Sequence, residues 1–324
     1  MSVVNIARPV RYLCVAAVLA VASLWVAGAG TATPSGAAVT GGAPAPGTTP
    51  GATSGCTQTK ESLRPMGALP APGAMPRGST MAAIAGRGRL IAGVDQGKYL
   101  VGYRNPMTGD LQGSDIDIVR QIAAAIFGDP NRVQFVVLDV ADRVGAIERG
   151  QVDVVVNTFT VTCDRQQHVD FSTAYLAAAQ RVLVPINSKV TEIEGLTGAQ
   201  VCTSVGSTTE QVLRALPIGL HVVSLPGIPD CMVEFQRGRV AAVSSDDVIL
   251  AGLAAQDPQT KVIGRPLAHA LYAVGMKHDA TDFVRFVNAV LERARSDGSL
   301  AHSDQRWLGV LDPVPQPAPA RYRD

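Results

Sequence analysis

From residue 89 onward, short apolar runs alternate with stretches whose apolar positions recur at helical spacing. The runs Leu90–Val94, Val133–Leu138, Val154–Val156, Gln200–Val205 and Lys261–Ile263 read as buried strands. Between them, Ile118, Val119, Ile122, Ala123 and Ile126 fall on one helical face. Asp115 is placed to cap that helix and Gly128 to stop it. Asp142–Ile147 opens a second helix, Ile249–Ala255 a third, and Asp282–Leu291 an amphipathic one. Repeated strand–helix–strand units predict an α/β fold with helical crossovers.

The ends of the chain break this rhythm. Residues 30–80 are rich in Pro, Gly, Ala, Ser and Thr, and read as a flexible linker, with order beginning near Met81. The tail Pro313–Asp324 is Pro-rich and is expected to be mobile. Ahead of the linker, Arg8 and Arg11 precede an uncharged apolar run, Tyr12 to Ala29, ending in Ala27-Gly28-Ala29. Residues 1–29 therefore read as a signal peptide; an uncleaved membrane anchor is the alternative, at the short limit for crossing a bilayer. Export places the protein in the cell envelope.

Charge excludes some partners. The formal net charge of +1 over 324 residues gives no reason to expect nucleic acid. Losing the leader removes Cys14 and leaves Cys56, Cys163, Cys202 and Cys231, an even number that suggests two disulfides in an exported chain. Three connectivities are open; the favoured one pairs Cys202 with Cys231 and Cys56 with Cys163, and free buried thiols are the alternative. No Cys or His spacing suits zinc, and no metal or cofactor is expected.

Three stretches carry candidate chemistry. After Val154–Val156 come Asn157, Thr158, Thr160, Thr162, Asp164 and Arg165. Ligand groups gather past the carboxyl ends of strands in open α/β sheets. Thr160 offers a hydroxyl and Arg165 a two-pronged cation, together able to take a carboxylate. The plainer reading pairs Arg165 with Asp164 or Asp170 at the surface. Next, Gly206, Ser207 and Thr208 begin a helix, where unpaired N–H groups favour an anion. Ser207 with Glu210 also fits a simple capping box. Finally, a strand ends in Asp246-Asp247: either both acids cap the next helix, or Asp246 faces a cleft.

Thr160-Val161-Thr162, Arg165 and Val169-Asp170-Phe171-Ser172 resemble the T-x-T-x-x-R…V-D-F-S signature of amino-acid-binding extracytoplasmic receptors, the type II solute-binding proteins of ABC transport systems. The resemblance spans roughly residues 86–310 and is closest to the glutamine/glutamate-binding branch of actinobacteria. It implies two Rossmann-like lobes joined by two crossover strands: lobe 1 over 81–183 and 272–312, lobe 2 over 184–271. It assigns Arg165 to the ligand's α-carboxylate, the Gly206–Thr208 start to the same group from the other lobe, and Asp246 to the α-ammonium. Asp95, Lys98 and Arg143 would face the ligand side chain. Lys98 and Arg143 lean the pocket toward an acidic ligand unless Asp95 cancels them. Departures are the absence of a lipid-bearing Cys after the leader, Ser114 in place of an aromatic, and Ala241 in place of an acid.

The implied function is a monomeric, non-enzymatic receptor for a polar amino acid (glutamate, aspartate, glutamine or asparagine), docking on an ABC permease. A sensor subunit signalling to a membrane receptor is the alternative. An enzyme similar to cyclohexadienyl dehydratases is a more distant one, because proton abstraction needs a base free of ligand pairing.

Overall fold

The computed structural model describes residues 61–324. The expected leader, most of the expected linker and Cys56 lie outside the described residues.

Two five-stranded sheets organise the fold. In chain order, the first half contains β1 (Glu61–Ser62), α1 (Thr80–Arg87), β2 (Leu90–Val94), β3 (Gly97–Lys98), β4 (Gly102–Arg104), β5 (Leu111–Gln112), α2 (Ser114–Phe127), β6 (Val133–Val137), α3 (Arg143–Glu148), β7 (Val154–Val155), α4 (Cys163–Gln166) and β8 (Val169–Phe171). Then come β9 (Leu176–Pro185), β10 (Gln200–Ser204), α5 (Thr208–Ala215), β11 (His221–Leu225), α6 (Ile228–Gln236), β12 (Ala242–Asp246), α7 (Asp247–Gln256) and β13 (Thr260–Tyr272). The chain closes with β14 (Gly275–Lys277), α8 (Thr281–Ser296), α9 (Ser299–Leu308) and β15 (Arg321–Tyr322).

Lobe 1 has the strand order β6-β2-β7-β14-β8, parallel around β2 and antiparallel at β14. Lobe 2 has β11-β10-β12-β9-β13, parallel around β10 and antiparallel at β9. The uninterrupted apolar runs fit sheets covered on both faces. Leu90, Ala92 and Val94 are fully buried, as are Ile116, Ile122 and Ile126 of α2 and Phe286 and Val290 of α8 in the same core.

The lobes exchange chain where Phe171 passes to Leu176 and where Tyr272 passes to Gly275. The two crossings run side by side. Ser172 N donates to Val274 O (3.0 Å), Val274 N donates back to Ser172 Oγ (2.9 Å), and Tyr175 N donates to Tyr272 O (2.8 Å). β9 then pairs with β13 inside the second sheet from Tyr272↔Leu176 to Thr260↔Pro185. The first change of lobe thus comes ahead of the expected boundary at 183, because Leu176–Leu183 is itself a strand of lobe 2.

Three expectations about local structure need correction. The helix α2 is capped by Gly113, not Asp115. Burial draws the Asp115 carboxylate inward, where it accepts from Thr158 N (2.7 Å) and from the Tyr175 hydroxyl (2.7 Å). Residues 61–80 are not free linker: Ser62 Oγ donates to Phe171 O (2.8 Å), Asn288 Nδ2 donates to Leu63 O (2.7 Å), and Leu63 and Met75 join the core. Nor is the tail mobile. β15 pairs in parallel with β1, Arg64 N donates to Asp324 Oδ1 (2.8 Å), and Tyr322 OH bonds Glu292 (3.0 Å). Pro bars helix but suits extended chain, and the short strand β1 offers the tail an edge to pair with.

Cys202 and Cys231 form a disulfide joining β10 to α6 within lobe 2. Cys163 is also disulfide-bonded, while Cys56, its expected partner, lies outside the described residues.

Candidate ligand-binding site

The carboxyl ends of β7 and β12 face one another across the cleft. Lys98, Val140, Arg143, Thr158 and Thr160 of lobe 1 and Ser204, Ser207, Thr208, Thr209, Asp246 and Ile249 of lobe 2 line one small cavity of about 30 Å3. Room for one water needs ~10–15 Å3, so an amino acid enters only after the lobes part.

The lobe 1 wall is a locked network. Lys98 is buried, and its Nζ donates to Asn157 Oδ1 (2.7 Å) and Thr158 Oγ1 (3.0 Å) and pairs with Asp95 Oδ2 (3.0 Å). Arg143 is also buried; its Nε donates to Val140 O (2.8 Å) and its Nη1 to Asn157 O (2.9 Å). Thr158 sits at φ 43°, a left-handed conformation unusual for a β-branched residue. Its N–H bond to Asp115 and its hydroxyl bond from Lys98 hold it there. Such strained residues gather at functional sites.

Arg165 follows from α4, where Thr162 caps the helix by accepting from Arg165 N (3.2 Å). Its Nη1 donates to Thr160 O (2.7 Å) and its Nη2 reaches Gly206 O of lobe 2 at 3.4 Å. Arg165 stands behind Thr160 and does not itself line the small cavity. The pairing with Asp164 or Asp170 is not what holds its side chain; Asp170 takes Arg323 (3.3 Å) instead. The Arg143 and Arg165 guanidinium carbons lie 4.7 and 5.0 Å from the centre of the Phe159 ring. Burial lowers Arg143 to about 9 and Arg165 to about 10, so both stay charged at neutral pH.

The lobe 2 wall is built from helix starts. Ser207 caps α5, accepting from Glu210 N (3.0 Å), as the sequence suggests. The Glu210 carboxylate, however, takes the N–H of Gly206 (2.8 Å) rather than that of Ser207. Gly206 therefore gives its amide to Glu210 and its carbonyl to Arg165; it does not present a free N–H to an anion, and Ser207 and Thr208 are the start residues left on the cavity. Gly206 also lies close to lobe 1, where a Cβ would come within 3.0 Å of the Ala141 Cβ.

Asp246 ends β12, and its carboxylate makes no cap bond to α7. It accepts a short hydrogen bond from the Tyr272 hydroxyl. Asp247 accepts from Val248 N (2.9 Å) and Ala179 N (3.1 Å), which leaves Asp246 to the cleft. Burial pushes the Asp246 carboxyl up to about 6, against the pull of Tyr272, Lys98 and Arg143. Burial raises Asp115 to about 6 as well.

Asp95, Lys98, Arg143, Thr158, Thr160, Arg165, Gly206, Ser207, Thr208 and Asp246 are thus gathered around one cleft. Sequence reasoning missed Asp115, Phe159, Tyr175 and Tyr272, which hold these groups in place. The only signal for Phe159 is its position between Thr158 and Thr160; Tyr272 carries none.

A mixed α/β chain in two lobes, with charged and hydroxyl groups converging between them, is the architecture of a type II periplasmic binding protein. Accordingly, the sequence model of the bacterial extracellular solute-binding proteins, family 3, matches residues 90–310, and the chain belongs to that family. It is 31% identical over 230 residues to the ABC transporter glutamine-binding protein GlnH of Bacillus subtilis (strain 168), covering 71% of this chain and 84% of that one. It is 27% identical to the glutamate-binding protein GluB of Corynebacterium efficiens, over 71% of this chain and 81% of that one. Among solved structures, the solute receptor for L-cysteine of Neisseria gonorrhoeae superposes with a TM-score of 0.68 at 26% identity, covering 71% and 94% of the two chains. No described helix is long and apolar enough to cross a membrane.

Proposed function

We propose that the protein is an envelope receptor that closes over one free polar amino acid, glutamine before glutamate, and hands it to an ABC importer. The observation that carries this reading is the cavity lined by Thr160, Arg143 and Lys98 from one lobe and by Thr208 and Asp246 from the other. In this reading the α-carboxylate meets Thr160, Thr208 and the Arg165 guanidinium, whose 3.4 Å contact to Gly206 is long enough to yield. The α-ammonium meets Asp246. A zwitterion needs both partners at once, since leaving either charge buried alone is costly. The ligand thereby ties one lobe to the other by hinge closure, the motion through which periplasmic binding proteins as a class enclose their ligands.

The side-chain preference follows from Asp95. Asp95 pairs with Lys98 at 3.0 Å and offsets its charge, while Arg143, whose donors go to the Val140 and Asn157 carbonyls, keeps its own on the same wall, so that an amide and a carboxylate both find partners there. The amide of glutamine suits such a mixed donor–acceptor wall. The names of the relatives, glutamine-binding at 31% identity and glutamate-binding at 27%, support the same class. Both cleft acids are held by neighbours, Asp246 by Tyr272 and Asp95 by Lys98 and Gly97, which supports binding rather than proton abstraction. A thermal-shift screen against the free amino acids tests the reading, because a binder raises stability by mass action. Glutamine is expected to give the largest shift and Arg165→Ala to abolish it; no shift with glutamine, glutamate, asparagine or aspartate overturns the proposal.

A further inference from the structure

Tyr175 and Tyr272 stand one on each crossing between the lobes, and both are buried. Tyr175 N donates to Tyr272 O (2.8 Å), so the two rings leave neighbouring strands. Each hydroxyl goes to one buried acid: Tyr175 to Asp115 of lobe 1 (2.7 Å), Tyr272 to Asp246 of lobe 2. The two acids differ in what else holds them. Asp115 has a second donor, Thr158 N (2.7 Å). Among the described residues, the Asp246 carboxylate accepts from Tyr272 alone. Gln180 faces it in the β9–β12 register, yet its Nε2 is committed to Thr209 O (3.1 Å) and Ser244 Oγ (3.0 Å).

Tyr272 also holds the opposite end of the site. Its backbone bridges Thr160, with Val161 N donating to Leu271 O (3.0 Å) and Ala273 N to Phe159 O (3.1 Å) on either side. Thr160 O in turn takes Arg165 Nη1 (2.7 Å). One residue thus fixes Thr160 and Arg165 through its main chain and Asp246 through its phenol. The first two are the clamp's groups for the carboxylate, the third its group for the ammonium.

A phenol that donates to a carboxylate favours the charged form. The other charged groups facing Asp246 are Asp247 of α7, Lys98 of β3, Arg143 of α3 and Arg165 of α4. Asp247 opposes ionisation and the three cations favour it. The cations' donors are committed elsewhere, Lys98 to Asp95, Arg143 to Asn157 O and Arg165 to Thr160 O. Direct stabilisation of the Asp246 charge is left to Tyr272.

We propose that Tyr272 is a positioning residue of the receptor: its hydroxyl aims Asp246 and keeps it ionised for the ligand's ammonium, while its backbone holds Thr160 in place for the carboxylate. This rests on the zwitterion clamp proposed above. The test is calorimetry of glutamine on the full chain between about pH 5 and about pH 8. Affinity is expected to fall below about pH 6, where the Asp246 carboxyl takes up its proton. Tyr272→Phe keeps the ring and deletes the donor. It is expected to weaken glutamine about tenfold at the upper end of the range and to move the fall upward by about one unit. Tyr175→Phe should leave the position of the fall unchanged, because its hydroxyl serves Asp115. Fluorotyrosine placed at Tyr272 is a stronger donor of nearly the same size. It should move the fall downward, and it carries the test should Tyr272→Phe not fold. A fall that stays at one pH whatever stands at Tyr272 overturns this inference and leaves the receptor reading standing. A fall that moves with Tyr175→Phe instead belongs to Asp115 and overturns it too. No binding of glutamine to the unaltered chain, or affinity unchanged in Asp246→Asn, brings down the clamp itself.

Discussion

The two walls of the cleft are made in opposite ways. On lobe 1, Lys98, Arg143, Asn157, Thr158 and Asp115 bind one another, so the wall is set before any ligand arrives. On lobe 2, Ser207, Thr208 and Asp246 sit at the starts of α5 and α7, with few bonds beyond their own elements. The helix starts bring partial positive charge and short side chains. The contrast teaches that one wall is cross-linked by its own side chains, while the other offers helix starts and, on the proposed reading, the second charge.

The largest expected effect comes from removing that charge. Asp246→Ala should weaken amino-acid binding at least ~30-fold by calorimetry, because truncating one partner of a buried charge pair costs about 2–5 kcal/mol. A loss under tenfold would place the ammonium elsewhere. The matching change on the template, Asp115→Asn, should act indirectly, through Thr158, and weaken binding by about one order of magnitude or less at ~1 kcal/mol per lost hydrogen bond.

Next in size is a pH effect. Ammonium binding needs Asp246 ionised, and its carboxyl in the free protein sits at about 6. Affinity should be level above pH 7 and fall about tenfold per unit below about pH 6. Asp246→Asn should flatten the profile; a slope that persists would assign it to Asp115. Stability of the free protein should run the other way. Both acids are raised on folding, to about 6 each, so between about pH 4 and 6 the folded state holds protons that the unfolded chain has released. Melting temperature should therefore decline as pH rises through that window.

A smaller effect tests closure rather than charge. Gly252 of α7 faces Tyr99 of lobe 1, and a Cβ there would lie 2.3 Å from the Tyr99 carbonyl oxygen. Gly252→Ala should hold the lobes apart and reduce affinity several-fold while leaving each lobe folded. An unchanged dissociation constant would show that this approach is not needed for binding. Smallest for binding is the disulfide: replacing Cys202 and Cys231 by Ser should lower stability by about 2–4 kcal/mol in a denaturant titration and leave affinity nearly unchanged.

The sequence made the fold legible because its strands are uninterrupted apolar runs and its motifs fall in family order. The same holds for residues proposed to meet the ligand through chemistry fixed by type, such as Arg165 and Asp246. What it hid was long-range pairing. Asp115 looked like a cap because local spacing favours that reading, and only the fold brings Thr158 and Tyr175 to it. Gly206 looked like an open amide because the reach of the Glu210 side chain back to it cannot be read from spacing. The tail looked mobile because composition does not reveal that β1, 260 residues earlier at the Arg64–Asp324 contact, waits for it. Asp95 and Lys98 were both legible as cleft residues, but their pairing at 3.0 Å was not.

The pairing of β1 with β15 gathers the first described residues and the last onto the same lobe. Lobe 2, from Leu176 to Tyr272, is a loop-out to which neither end of the described residues is strand-paired. On the proposed hinge closure, a support fastened at either described end holds lobe 1 still and leaves lobe 2 to swing. A dye on lobe 2 would then report each closing event on an immobilised molecule, with no need to free either end.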